Sequence, residues 1–188
     1  MAFKSKDLEA QIPNLRRYAL ALTRDVSAAN DLVQECLTRA LSRPHLWQED
    51  TNLRAWLFTI LHNEHVNRVR RTVREGLTVL LPEAEPALST APDQEKRLEI
   101  RDLDRALGKL PLEQRAVVLL VGLEGLRYDK VAEILGVPTG TVRSRLSRGR
   151  AALRIAIGDL PAQSCPARSG PRAKPISPLP RRPAWSHE

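Results

Sequence analysis

A chain of 188 residues is long enough for one ordinary domain or two small ones. Hydrophobic residues make up 42% and aromatics only 4%, so the core must be built from Leu, Val, Ile and Ala, a palette that suits packed helices better than sheets. A formal net charge of +8 favours an anionic partner, nucleic acid first and an acidic membrane surface second, and the two distant cysteines, Cys36 and Cys165, exclude a disulfide framework and a cysteine-based zinc site.

The N-terminus, MAFKSKDLEAQ, lacks the apolar stretch of a signal peptide, and no apolar run reaches the ~20 residues needed to cross a bilayer. A soluble, cytoplasmic protein is the expectation. From Leu8 to about Arg71 the pattern is helical, with Pro13 tolerable in a first turn and Ser27 the expected N-cap of a run from Asn30 to Ser42. In that run Leu32, Val33, Cys36, Leu37, Ala40 and Leu41 recur at spacings of three and four and predict one apolar stripe. Pro44 ends it. A long helix is predicted from near Asn52, burying Leu53, Trp56, Leu57, Ile60 and Leu61. Its far end turns basic, with His62, His65, Arg68, Arg70, Arg71 and Arg74. His62 and His65 are not in H-E-x-x-H spacing and have no further ligand nearby, so no metal site is expected.

Residues 76–92 hold Gly76, Pro82, Pro86 and Pro92 among small and acidic residues, the composition of a flexible linker. Helical periodicity resumes near Asp93, with Leu98, Leu103, Leu107 and Leu110, and a second run follows Pro111 from Leu112 to Leu123. From Pro161 onward lie seven of the 14 prolines, with five basic residues against one acid, which predicts a disordered basic tail over 161–188.

The most informative stretch is Gly125 to Ile157. A short helix from Tyr128 to Leu135, with Val131, Ala132 and Leu135 inward, is followed by Gly136 as the left-handed residue that helix ends favour, and then by Val137 and Pro138 as a turn. A second helix begins near Thr139, with Val142, Leu146 and Leu153 inward and Arg143, Arg145, Arg148 and Arg150 outward. This is the arrangement of a helix-turn-helix, whose second helix enters the major groove. Thr139 and Thr141 at the helix start suit a phosphate, while Arg143, Ser144, Ser147 and Arg148 can reach base edges or phosphates. One bidentate Arg on guanine is worth roughly 1–3 kcal/mol of discrimination. Arginines on a helix are more often a plain solvated face, but the turn upstream favours DNA.

The run EGLRYDKVAEILGVPTGTVRSRLSRGRAAL, from Glu124 to Leu153, resembles the promoter-binding domain of extracytoplasmic-function sigma factors, the compact two-domain branch of the sigma-70 family. ANDLVQECLTRAL from Ala29 and NLRAWLFTILHN from Asn52 to Asn63 are similar to that family's N-terminal domain. The resemblance spans roughly Leu8 to Ile157. It implies an all-α fold of two small helical domains joined by a flexible linker: an N-terminal sigma domain over 8–75, the linker over 76–92, a helix-turn-helix domain over 93–160 and the tail over 161–188. Asp31, Leu32, Val33, Gln34 and Glu35 then occupy the segment that docks on core RNA polymerase. His62, Asn63, Arg68, Arg70 and Arg71 match the surface that opens the minus-ten element, with Asn63 as base reader. Thr139, Thr141, Arg143, Ser144, Ser147 and Arg148 fall on the minus-thirty-five element in duplex form. Core RNA polymerase, promoter DNA and an anti-sigma factor are the implied partners. No catalytic site, cofactor, small-molecule substrate or membrane insertion is expected.

Three positions depart from the family pattern. Arg127 stands where Ser or Thr is usual and removes an N-cap, Gly149 stands where Ala is usual inside the recognition helix, each at about 1 kcal/mol, and Asn30 stands where an acid is common. Two other functions compete with this one. A dimeric helix-turn-helix repressor would bind a palindrome without polymerase, which the 31–35 and 52–63 segments argue against, and an enzyme lacks any nucleophile motif or Gly-rich phosphate loop.

Overall fold

The computed structural model describes residues 5–47, 52–75 and 94–158. The predicted linker over 76–92 and tail over 161–188 therefore lie outside the described residues. Within them the chain is helical: α1 (Ser5–Glu9), α2 (Ile12–Thr23), α3 (Val26–Ser42), a 3-10 turn (Pro44–Leu46), α4 (Leu53–Arg74), α5 (Gln94–Lys109), α6 (Leu112–Val118) leading into a π-helical turn (Leu119–Leu123), α7 (Tyr128–Leu135) and α8 (Thr139–Ile157).

Local chemistry sets the boundaries. Pro13 sits in the first turn of α2, where its missing N–H costs nothing. The N-cap of α3 is Asp25, not the expected Ser27. Asp25 has extended backbone, and its carboxylate accepts the Ala28 N–H at 2.6 Å, so α3 begins earlier than the apolar pattern suggests. Asn52 caps α4 as its sequence position predicts, its side chain accepting the Ala55 N–H.

α2, α3 and α4 pack on one another and bury Leu15, Tyr18, Leu22, Leu32, Cys36, Leu57, Phe58 and Leu61. The rings of Tyr18 and Phe58 meet edge to face at 5.2 Å, a favoured aromatic geometry. Leu41, read in the sequence as part of the stripe of α3, is 60% exposed. It follows buried Ala40, and one residue turns a helix by about 100°, which takes Leu41 off the face that Leu32, Val33, Cys36 and Ala40 share. In the second half α6, α7 and α8 surround Ala116, Val117, Leu120, Val131, Ile134, Val142 and Leu146. Ile134 is the buried member of α7 near its end, while Leu135 is only half-buried.

The two halves also touch. α2 lies against α6 and the π-helical turn, α4 lies against α7, and the buried apolar residues of both halves form one contiguous cluster. Arg115 crosses the boundary as a buried staple. Its guanidinium donates to Leu22 O at the end of α2 and to Gly108 O and Leu110 O at the end of α5, carbonyls that those helices leave unpaired. Arg24 reaches Asp104 across the same boundary at 2.9 Å.

Candidate nucleic-acid interface

Gly136 ends α7 at φ 63° and ψ 37°, and its N–H donates back to Glu133 O, so the chain reverses within three residues into α8. This places α8 across α7, with Val142, Leu146 and Gly149 toward the core. The remaining phase of α8 is open: Arg143, Ser144, Ser147 and Arg148 are all exposed and share one side of the helix. Ser144 donates its hydroxyl to Thr141 O, and Arg148 folds back on Ser144 O and Oγ, which groups the two side chains in one spot.

Thr139 and Thr141 stand half-buried in the first turn of α8. The Thr141 N–H is taken by Pro138 O at 2.8 Å, so Thr141 offers its hydroxyl rather than its amide to an anion. Arg145, read as outward, is turned inward. Its side chain is 18% exposed and pairs with Glu113 of α6.

Tyr128 and Arg154, not singled out in the sequence, and Arg150, read there only as outward, join this face. Tyr128 of α7 with Arg143, Ser147, Arg150 and Arg154 of α8 lines a shallow groove. Arg150 and Arg154 follow Arg143 and Ser147 at spacings of three and four, so the signal was present in the sequence as a second turn of the same stripe.

On α4 the expected site residues divide. Asn63 is half-buried and Arg70 exposed, seven residues apart and hence on one face, with exposed Asn67 between them. Asn67 was missed in the sequence. Its spacing of four from Asn63 was the available clue. His62 stands on another side of the helix, its Nδ1 3.4 Å from the Tyr18 hydroxyl. Burial, together with the charges of His65 and Arg145, pushes its pKa down to about 3, so it is neutral at physiological pH. Arg68 points toward α3, where it meets Glu35 at 3.6 Å and donates to Ala28 O. Arg71 is largely exposed and pairs with Glu75 at 2.7 Å. Helical phase thus aligns Asn63 and Arg70 on one face of α4 with exposed Arg71 beside them, while His62 and Arg68 turn toward Tyr18 of α2 and Glu35 of α3.

The 31–35 segment also divides by helical phase. Asp31, Gln34 and Glu35 are exposed on α3 at spacings of three and four, whereas Leu32 and Val33 are both buried in the core. Behind Glu35 lies Glu64, 6% exposed, paired with Arg39 at 2.9 Å. Burial pushes the Glu64 carboxyl up to about 7, the Arg39 charge opposing and the Glu35 carboxylate adding to the rise. His65, beside it on α4, is pushed down to about 4 by burial and by Arg115 and Arg68. Among the described residues no group of His, Cys, Asp and Glu could hold a metal, and no helix is long and apolar enough to cross a membrane. Cys36 is buried, donates to Leu57 O and has its thiol pushed up to about 12, which leaves it inert.

Gly149 changes meaning in the structure. A Cβ there would lie 2.7 Å from Val118 Cγ2 but 3.6 Å from the Gln114 backbone, so a side chain at this crossing of α8 and α6 fits only if Val118 shifts. The departure from the usual Ala is matched to the close approach of Val118 and is not a bare loss of helix propensity.

Comparisons with known proteins agree with this geometry. Residues 8–62 match the family described as the sigma2 domain of PhyR, and residues 100–153 match sigma-70 region 4. The chain is 39% identical over 151 residues to the ECF RNA polymerase sigma factor EcfG of Rhodopseudomonas palustris, covering 78% of this chain and 81% of that protein. It is 34% identical over 151 residues to the ECF RNA polymerase sigma factor SigL of Mycobacterium tuberculosis, covering 78% and 84%. The fold superposes with a TM-score of 0.70 on the sigma factor RpoE of Bartonella quintana, solved in complex with the anti-sigma factor NepR. The two are 33% identical, and the match covers 81% of this chain and 95% of that one.

Proposed function

The chain belongs to the extracytoplasmic-function RNA polymerase sigma factors, which direct core RNA polymerase to promoters, and from that premise we propose how its surfaces divide the work. The exposed side of α8, with Arg143, Ser144, Ser147 and Arg148, reads the minus-thirty-five element in the major groove, and Thr139 and Thr141 hold a phosphate at its entrance. The single observation that carries this reading is the open, basic and hydroxyl-rich face of a helix set by the Gly136 turn.

The face of α4 that presents Asn63 and Arg70, with Asn67 between them, captures unpaired bases of the minus-ten element once they leave the stack. Asp31, Gln34 and Glu35 dock on a basic surface of core polymerase, with Leu32 and Val33 fixing the helix from beneath. His62, Arg68 and Arg71 act from the edges of these faces. Residues 8–75 and 93–160 serve as two recognition units joined by 76–92. Two weak sites on one chain give selectivity because both must be present at a suitable spacing. The chain works in the cytoplasm without a catalytic site or cofactor, and an anti-sigma factor of the kind bound to the Bartonella protein holds it inactive.

Run-off transcription tests the reading. Purified core polymerase is incubated with promoter fragments of the source genome, with and without the chain. Discrete transcripts that need the chain are expected. No chain-dependent transcript, together with palindrome-specific binding by the chain alone, would replace this reading with that of a repressor.

A further inference from the structure

Glu64 stands on α4 between the buried residues Leu61 and His65, and only 6% of its side chain is exposed. A carboxylate taken this far out of water is costly unless it is paired. Its partner is not in the core. Arg39 Nη1 of α3 meets Glu64 Oε1 at 2.9 Å, and half of the Arg39 side chain lies in solvent. Arg39 follows Glu35 by one helical turn and Asp31 by two, so it shares the exposed side of α3 that carries Asp31, Gln34 and Glu35. The acidic face assigned to polymerase docking therefore includes a cation, and the buried acid beneath it cancels that charge.

The neighbouring charges close around this pair. Glu35 hydrogen-bonds the Glu64 carboxyl and also meets Arg68 of α4 at 3.6 Å. When all four groups are ionised, the carboxylates of Glu35 and Glu64 balance the guanidiniums of Arg39 and Arg68. Cys36 of α3 also faces Glu64 and stays protonated. Groups facing α4 from other elements meet other residues: Tyr18 of α2 meets His62, Glu124 before α7 meets Arg54, and Arg115 of α6 acts on His65, which is neutral. Burial pushes the Glu64 carboxyl up to about 7, with Arg39 opposing and Glu35 adding to the rise, so its charge changes within the physiological range. A protonated Glu64 no longer offsets Arg39, and the face gains one positive charge.

We propose that Glu64 is a positioning residue for polymerase docking, which holds Arg39 and cancels its charge so that the face of α3 stays acidic toward a basic partner. Uptake of a proton releases Arg39 and loosens docking, so association with core polymerase tightens as pH rises. The proposal rests on the docking role given to Asp31, Gln34 and Glu35.

The test measures association of the full chain with core polymerase between pH ~6 and ~8, either side of the Glu64 value of about 7. Wild type is compared with Glu64→Gln, Arg39→Gln and the double variant, each checked for folding by urea titration. Wild type is expected to tighten from the acid to the alkaline side more than the double variant does. At the upper pH, E64Q is expected to bind roughly two- to fivefold more weakly than wild type, the scale of one partly exposed charge pair. The double variant should regain wild-type affinity there, a recovery that a mere packing defect at Glu64 does not give. A folded E64Q that binds as wild type at both pH values, or a double variant no tighter than E64Q, would overturn the proposal. Should E64Q not fold, R39Q decides: a profile flatter than wild type supports the proposal, and an unchanged profile overturns it. Failure of the docking reading is separable, since it shows as unchanged association in Asp31→Lys.

Discussion

α4 and α8 both carry basic residues in a run, yet they use them differently. On α8 the helix lies on the surface of its own half, so Arg143, Arg148 and Arg150 fall on one open side and only Arg145 is drawn in to Glu113. On α4 the helix is central, with α3 on one side and α7 on another. Its polar side chains are partly committed to neighbours: Arg68 to Glu35 of α3 and the neutral His62 to the hydroxyl of Tyr18, while Arg71 stays exposed and pairs with Glu75 at the end of α4. A basic run on a peripheral helix is left open to solvent and free to serve a partner. On a central helix it is sorted by helical phase into structure and function.

The largest effect that breaks this contrast comes from α8. Arg143→Ala should lower promoter-specific run-off transcription by roughly 5- to 150-fold, as loss of a contact worth about 1–3 kcal/mol implies, with polymerase binding intact. Loss of polymerase binding instead would move Arg143 out of the DNA face. Gly149→Ala comes next. Overpacking against Val118 should destabilise the fold by about 1–3 kcal/mol, against the ~1 kcal/mol that helix propensity alone would return, and urea titration measures the sign. A stabilised G149A would mean that the Val118 side chain gives way at no cost.

A smaller effect sharpens the reading of α3 and α4. Asp31→Lys should weaken association with core polymerase while leaving the melting temperature within about 2–4 °C of wild type, because Asp31 is exposed. Unchanged association would remove Asp31 from the docking face. The smallest expected effect is a pH slope. His62 and His65 sit at about 3 and about 4, below the ~6.5 of an unfolded chain, so the stability they contribute is full above pH ~6.5 and is lost on acidification. Glu64, raised to about 7, acts in the opposite sense, its contribution being lost as pH rises from 4.5 toward 7. Two imidazoles against one carboxyl leave a net loss below pH ~6.5. Melting temperatures should fall between pH 6.5 and 5, and His65→Asn should flatten that slope. A melting temperature that rises over this interval would contradict the burial of the histidines.

Much of the C-terminal half was legible because its signals are local. Gly136, the Val137–Pro138 turn and the inward Val142 and Leu146 all act within a few residues of one another. The N-terminal half was legible in its elements and less so in its site. Spacing puts Leu32 and Val33 on neighbouring phases of a helix, but only the packing of α2 and α4 on α3 buries both. Spacing likewise does not reveal that Arg68 meets Glu35, or that Val118 of α6 lies within 2.7 Å of where a Cβ at Gly149 would stand. Contacts between the halves, such as Arg17 with Glu124, link residues more than 100 positions apart and leave no periodic trace.

The division of labour between α8 and α4 is the central claim, and footprinting combined with permanganate reactivity of polymerase-bound promoter DNA tests it most directly. Asn63→Ala should keep protection of the upstream duplex element while losing thymine reactivity at the downstream one, and Arg143→Ala should lose upstream protection. Loss of upstream protection by Asn63→Ala, or its retention by Arg143→Ala, would contradict the account.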